Sequence, residues 1–301
     1  MSEIRKSLEE VYKNYRDIIP GDSDLEVVTH LLHQNIQYNT KTSLFRYMNS
    51  DIFNINNIRR GILRLSANGR MNDVYEGVAD CSNGYDESKA DYLNKLVYLK
   101  CFSENCTSNL MWSHYASSHS GICVEYDLSL LDCRDHVLAH IFPVIYGEKR
   151  LKAQNIDWEE LERDYKSVCL WDSNCEDDEL LDLPFLEDIK GLYLYKNKDW
   201  SYEKEWRLIY SWKEFYDKDV KNPEQYDLPF DCVTAIYLGY RINPVVKSEM
   251  IGLVRDINNK VNNKGSVKLY QMVLSKDNYE MVPKVQQKYM VHIPDLTCPP
   301  K

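Results

Sequence analysis

Apolar and polar positions recur along this chain in registers that predict short helices and strands in a definite order. Residues 3 to 19 set Ile4, Leu8, Val11, Tyr12, Tyr15 and Ile18 at helical spacing, and Pro20-Gly21-Asp22-Ser23 breaks the run. Asp24 is placed to cap a second helix through Val27, Val28, Leu31 and Leu32. Together these predict an N-terminal helical arm over residues 1–42, ahead of a single domain over 43–301. Ser43 to Met48 reads as a strand. Asn49-Ser50-Asp51 caps a helix through Phe53, Ile55 and Ile58 that stops at Gly61, and Ile62 to Ser66 alternates as a half-buried strand does.

The densest pattern lies between Lys100 and Asp127. Leu96-Val97-Tyr98-Leu99 predicts a buried strand running into Cys101-Phe102-Ser103. Asn109 is a candidate cap for a helix carrying Leu110, Met111, Trp112 and Tyr115. Gly121 ends it, and Gly121 to Tyr126 is a second strand. Trp112 and Tyr115 are expected in the core. Further on, residues 139–146 read as a strand with Pro143 near its middle, which implies an edge or a bulge. Helices are expected over 157–171 and 183–196, with an acidic, solvated loop between them. From Glu203 a strand puts Trp206, Leu208 and Tyr210 on one face and Glu203, Glu205 and Arg207 on the other, which is either a site face or a solvated, cross-strand charged strip. A strand at 235–239, a helix at 245–261 and a strand at 267–273 complete the pattern.

Composition narrows the function classes. The 301 residues carry a formal net charge of −10, which argues against non-specific binding to DNA, RNA or anionic membrane. It leaves room for a local basic pocket that takes a phosphorylated small molecule. No window approaches a membrane span. Nine scattered cysteines without a Cys-x2-Cys pair suggest reduced thiols and a cytoplasmic location. Cys101 and Cys106, like His114 and His119, stand five apart, a spacing that matches no common zinc motif, so no metal is expected.

Several stretches together resemble a bacterial family known only as a domain of unknown function. They are Leu44-Phe-Arg-Tyr47, Asn72-Asp73-x-x-Glu76 and Cys101-Phe102-Ser103. They continue with Asn109-Leu-Met-Trp-Ser-His-Tyr-Ala116, His119-x-Gly121-Ile-Cys123, Trp200-x-Tyr-Glu-x-Glu-Trp-Arg207 and Leu238-Gly239. The resemblance spans roughly residues 43–245; Val74 stands where the family often has Pro. The order of Arg46, Phe102-Ser103 and Glu203-x-Glu205 is also similar to the Arg-Ser-Glu arrangement of ADP-ribosyltransferases. That similarity implies an α+β fold in which two small, mostly antiparallel sheets form a split core with helices outside. It implies NAD as a substrate-like cofactor and a nucleotide as the small-molecule partner. Arg46 would serve the phosphate or ribose side, with Tyr47 and His119 as further cofactor contacts. Ser103 would brace the site, and Glu205 would meet the ribose 2′-hydroxyl with Glu203 orienting the acceptor. A protein or nucleic acid is a possible acceptor, and a role as a toxin or phage-defence effector follows by analogy.

Cleaving the nicotinamide–ribose bond builds oxocarbenium charge, which a fixed carboxylate stabilises. Two rival readings stand beside it. One is a non-catalytic module that binds a nucleotide or protein. The other is a nuclease or hydrolase in which His114 and His119 act as acid and base.

Overall fold

The computed structural model describes residues 5, 42–67, 71–75, 96–131, 137–150, 193–212, 215, 218, 220–260 and 266–286. The expected arm over residues 1–42 (Arg5 and Thr42 apart), the helix at 157–171, the acidic loop and the start of the 183–196 helix fall outside these residues. The described part is a mixed α/β structure with a curled, mostly antiparallel sheet as its core and few helices.

The strands are β1 (Ser43–Met48), β2 (Ile62–Leu63), β3 (Ser66–Ala67), β4 (Val97–Ser103), β5 (Ile122–Asp127), β6 (Ile141–Pro143) and β7 (Ile145–Gly147). They continue with β8 (Tyr195–Asn197), β9 (Glu205–Ser211), β10 (Leu228–Pro229), β11 (Val233–Leu238), β12 (Lys268–Leu274) and β13 (Met281–Val285). The helices are α1 (Ile52–Arg60), α2 (Asn109–Tyr115) and α3 (Pro244–Asn258). Nine strands form one sheet in the order β13-β12-β11-β5-β1-β4-β9-β6, with β3 added to β4; β10–β2 and β7–β8 are separate pairs. Two small sheets were expected; among the described residues the core is one sheet, all but parted at its centre. There β1 and β4 share a single residue pair, Phe45 with Ser103. On either side the pairing is extensive: β1 with β5 over six residues, and β4 with β9 over seven.

Local chemistry explains most elements. The Asp51 carboxylate accepts from the Asn54 amide to start α1, and Gly61 takes a left-handed φ of 67° to end it. The Ser108 side chain, one residue before the expected cap, accepts from the Met111 amide to start α2. That helix ends at Tyr115, before Gly121. Ser117, Ser118 and His119 then take left-handed backbone angles in succession. Gly121 serves a close approach instead: a Cβ there would stand 2.3 Å from the Met48 carbonyl oxygen. Pro143 ends the edge strand β6 and the chain leaves for a different sheet, as an edge proline permits. The predicted helix over 183–196 ends instead in strand, since Tyr195 and Lys196 belong to β8, parallel to β7.

Alternation sorts the side chains to two faces. One face carries Leu44, Met48, Val124, Tyr126, Ile236 and Leu238 into a core with Ile55 and Ile58 of α1 and Met250 and Leu253 of α3. The other carries Tyr47, Cys123, Ala235 and Tyr237 against Met111 and Trp112 of α2. Trp112 is fully buried, stands edge-on to Tyr47 at 5.2 Å and donates its indole N–H to the Cys106 carbonyl at 2.7 Å.

Candidate active site at the parted sheet

Where β1 and β4 diverge, a cavity of about 270 Å³ opens between them. Along this edge of β4, Ser103 pairs with β1, and Leu99 and Tyr98 pair with β3. Residues 100–102 between them pair with neither, and these residues border the cavity. Because the space lies between two strands, side chains from both sheet faces reach it. Arg46 and Lys100 come from the α1 face; Phe45, Tyr47, Cys101 and Ser103 come from the α2 face. Tyr115 from α2, Asn72 from the loop after β3, Lys196 from β8, Glu203 and Glu205 complete its chemistry.

The carboxylate wall is a closed ionic network. Glu205 opens β9, opposite Ser103, and its side chain is bound twice by the Arg207 guanidinium, at 2.8 and 3.0 Å. Lys196 Nζ donates to Glu203 at 2.7 Å and to Glu205 at 3.0 Å. Tyr115 donates its hydroxyl to Glu203, and Ser103 Oγ donates to the Glu203 carbonyl at 2.7 Å. Arg207 also reaches the Tyr193 carbonyl at 2.5 Å. Glu203 and Glu205 are 2% and 3% exposed, so they do not lie on a solvated strip. Nor do the two carboxylates share a strand face. Glu203 ends a 3-10 turn (Lys198–Glu203), and Lys204 bends the chain with a left-handed φ of 45° before β9 starts. They converge because Lys196 lies between them.

The environment drives the two acids apart. For Glu203 burial dominates, and the neighbouring Glu205 charge adds to it, so its carboxyl is held above the ordinary range. For Glu205 burial pushes the same way but is outweighed by Arg207 and Lys196, so it stays ionised well below that range. Cys101, hydrogen-bonded to Glu205, has its thiol raised by burial first and by the Glu205 charge second. It is therefore a poor nucleophile at neutral pH.

The opposite wall is basic. Lys100 donates to Ser66 Oγ at 3.3 Å, while Arg46 contacts Met48 Sδ at 3.6 Å and the Tyr126 hydroxyl. Loss of solvent, then the Arg46 charge, pulls the Lys100 ammonium down to about 7. Among the described residues neither cation has an acidic ion-pair partner. Glu224 acts on Lys100 only at longer range and accepts from the Ala67 amide at 3.3 Å.

The cavity thus gathers Arg46, Tyr47, Ser103, Glu203 and Glu205 and leaves out the two histidines. Tyr47 gives its hydroxyl to the Asn105 carbonyl at 2.9 Å. His114 is exposed on α2, with Nδ1 3.0 Å from the Tyr202 hydroxyl. His119 holds the turn after α2. Its carbonyl accepts from the Arg241 amide at 2.9 Å and lies 2.3 Å from where a Cβ on Gly239 would stand. This packing accounts for the Leu238-Gly239 step. Lys100, Lys196, Tyr115 and Arg207 escaped sequence reading as site residues. Two are single lysines in unremarkable surroundings, Tyr115 reads as core by spacing, and Arg207 reads as a surface charge. For Tyr115 and Arg207 the signal available was the company they keep within the stretches quoted above, which interlock here; Lys100 and Lys196 lie outside those stretches. Trp200 covers Lys196 at 4.9 Å, Tyr202 meets His114, and Trp206 donates to Glu104 at 2.9 Å.

No curated protein and no solved structure matches the chain. Residues 111–208, which supply Tyr115, Lys196, both glutamates and Arg207, carry a domain of the family described as "Protein of unknown function (DUF2971)".

Proposed function

We propose that this cavity binds a nicotinamide nucleotide and breaks its nicotinamide–ribose bond, as an NAD glycohydrolase or ADP-ribosyltransferase does. One observation carries the reading: Arg46, Ser103 and Glu205, from three separate strands, border one cavity at the point where the sheet parts. In the reaction the C–N bond breaks with its electron pair going to nicotinamide, which leaves neutral. The ribose carbon then forms a bond to the oxygen of water or another acceptor, which gives up a proton.

The two glutamates divide the work by their surroundings. Glu205, fixed by Arg207 and Lys196, is a stationary negative charge beside the sugar. Glu203, held nearer neutrality, takes the acceptor's proton. Tyr115 and Ser103 hold it in place, and Arg46 faces the phosphate side. The small volume accommodates the nicotinamide-ribose half, since whole small-molecule sites run from roughly 300 to 1,000 Å³.

The test is nicotinamide release from NAD by the wild-type protein and by Glu203→Gln, with NAD binding measured separately. Loss of about 10²–10⁴ in turnover, with binding retained, is expected for removal of a positioned base. Activity of Glu203→Gln equal to wild type would remove Glu203 from the mechanism. A wild-type protein that binds nucleotide without cleaving it would favour the binding-module reading.

A further inference from the structure

The basic wall is unexplained by bond cleavage. Arg46 and Lys100 stand side by side, half-buried, repelling each other, without an acidic ion-pair partner among the described residues. Two like charges withdrawn from water are costly unless an anion joins them. Both residues also border a second, much smaller hollow of about 20 Å³ beneath the split, lined by Asn54, Asn57, Arg64 and Tyr126. They therefore form the floor of the main cavity on its α1 side. Arg64 is engaged by Asp227 at 2.8 Å, so the charge left for a ligand is that of Arg46 and Lys100.

Resting on the nucleotide reading of the same cavity, we infer that Lys100 and Arg46 form a subsite for a terminal phosphate monoester. The preferred ligand is then a 5′-phosphorylated ribosyl mononucleotide rather than a dinucleotide. A monoester gathers about −1.5 to −2 charge on one phosphorus at neutral pH, whereas the bridge of a dinucleotide spreads its two charges over two phosphates. Two cations match the first. Ser103, the Cα partner of Glu205, lies three residues from Lys100 along β4, about 10 Å. The cations and the carboxylates thus border the cavity at different points along β4, with a phosphorylated pentose placed between them. The cavity of about 270 Å³ holds one nucleoside, so the second nucleoside of a dinucleotide would lie outside it.

The experiment is calorimetric titration of the wild-type chain with ribose 5-phosphate, ribose, nicotinamide mononucleotide, nicotinamide riboside and NAD. Ribose 5-phosphate contains no bond to nicotinamide, so its binding is read independently of any cleavage. The phosphorylated member of each pair is expected to bind at least 100-fold more tightly than its unphosphorylated counterpart, and the mononucleotide more tightly than NAD. Lys100→Met should erase most of that preference, and Lys100→Arg should retain part of it. Far-UV circular dichroism verifies that each variant is folded. Equal affinity within the pairs, or a preference that survives Lys100→Met, overturns the subsite. If NAD is cleaved while phosphate makes no difference, the subsite fails and the cleavage reading stands. If the phosphorylated ligands bind as expected and no nicotinamide is released, the subsite stands and the cleavage reading fails.

Discussion

Lys100→Met should make the unliganded protein more stable, and the gain should depend on pH in a direction fixed by the structure. The Lys100 ammonium falls from an ordinary 10.5 to about 7, caused first by desolvation and then by Arg46. At 1.36 kcal/mol per unit, keeping this lysine protonated in the folded state costs at most about 5 kcal/mol. Below pH 7 both folded and unfolded chains carry the proton, so the full cost applies. Between 7 and 10.5 the folded chain has lost it and the unfolded chain has not, so wild-type stability rises with pH by up to about 1.4 kcal/mol per unit. Above 10.5 the cost vanishes. Methionine keeps the length of the stem, adapts to irregular space and gives up only the bond to Ser66. The assay is urea unfolding of wild type and Lys100→Met at pH 6, 7.5 and 9. The variant is expected to be more stable by about 2–4 kcal/mol at pH 6, within the ceiling set by linkage, with the margin narrowing as pH rises. A difference that is absent, or that stays constant with pH, refutes the account of two half-buried like charges held together without an acidic ion-pair partner among the described residues. Saturating ribose 5-phosphate should stabilise wild type and not the variant, because ligand binds the folded state alone.

Other substitutions test other parts of the argument. Glu205→Gln should destabilise the chain by about 3–5 kcal/mol by urea unfolding, because the buried, doubly hydrogen-bonded ion pair between Glu205 and Arg207 would be broken. An unchanged transition midpoint would contradict the network. A solvated strand face would have made this change structurally mild; burial of Glu205 reverses that. Trp112→Ala should cost about 3–5 kcal/mol as a large-to-small change at a fully buried site, seen as a lowered melting temperature. Gly121→Ala should cost about 1–3 kcal/mol by the same assay, because the new methyl meets the rigid backbone of Met48. In the pH profile of nicotinamide release, the acidic limb should lie above the ordinary carboxylate range and disappear in Glu203→Gln. Glu203 must be ionised to accept a proton, and its environment raises the pH at which that happens.

The strands and helices near the site were legible because their signals are local. Asp51 and Gly61 bracket α1, and apolar runs mark β4, β5 and β11. The failures share a cause. Residues 195 and 196 look helical by spacing but are drawn into pairing with β7, about fifty positions away, and no local pattern reports that. The Glu203–Glu205 repeat looks like one strand face because alternation is the default reading of two-residue spacing. A single left-handed residue, Lys204, breaks it. The sheet's division was expected as two separate sheets, whereas the strands part within one sheet whose ends remain joined through Phe45 and Ser103.

Charge was the least legible property of all. Read along the chain, Glu203-Lys204-Glu205-Trp206-Arg207 looks like an exposed strip in which each charge is solvated. In the fold Lys204 is turned away by its backbone, and Lys196 takes its place between the carboxylates. The acidic wall is thereby neutralised by Lys196 and Arg207 before any ligand arrives. The basic wall is not: Arg46 and Lys100 face each other, and among the described residues neither has an acidic ion-pair partner. A cavity with one balanced wall and one unbalanced wall has a direction. An anion gains more on the Arg46–Lys100 side than the carboxylates repel it from the other, because those carboxylates are already paired. The uncompensated pair therefore orients any phosphorylated ligand, and the sugar beyond the phosphate falls toward Glu203 and Glu205. Orientation follows from the imbalance alone, so reversing it predicts the opposite behaviour. Lys100→Glu places a carboxylate beside Arg46, satisfies that guanidinium internally and should abolish phosphate discrimination while leaving the Glu203–Lys196–Glu205 network intact.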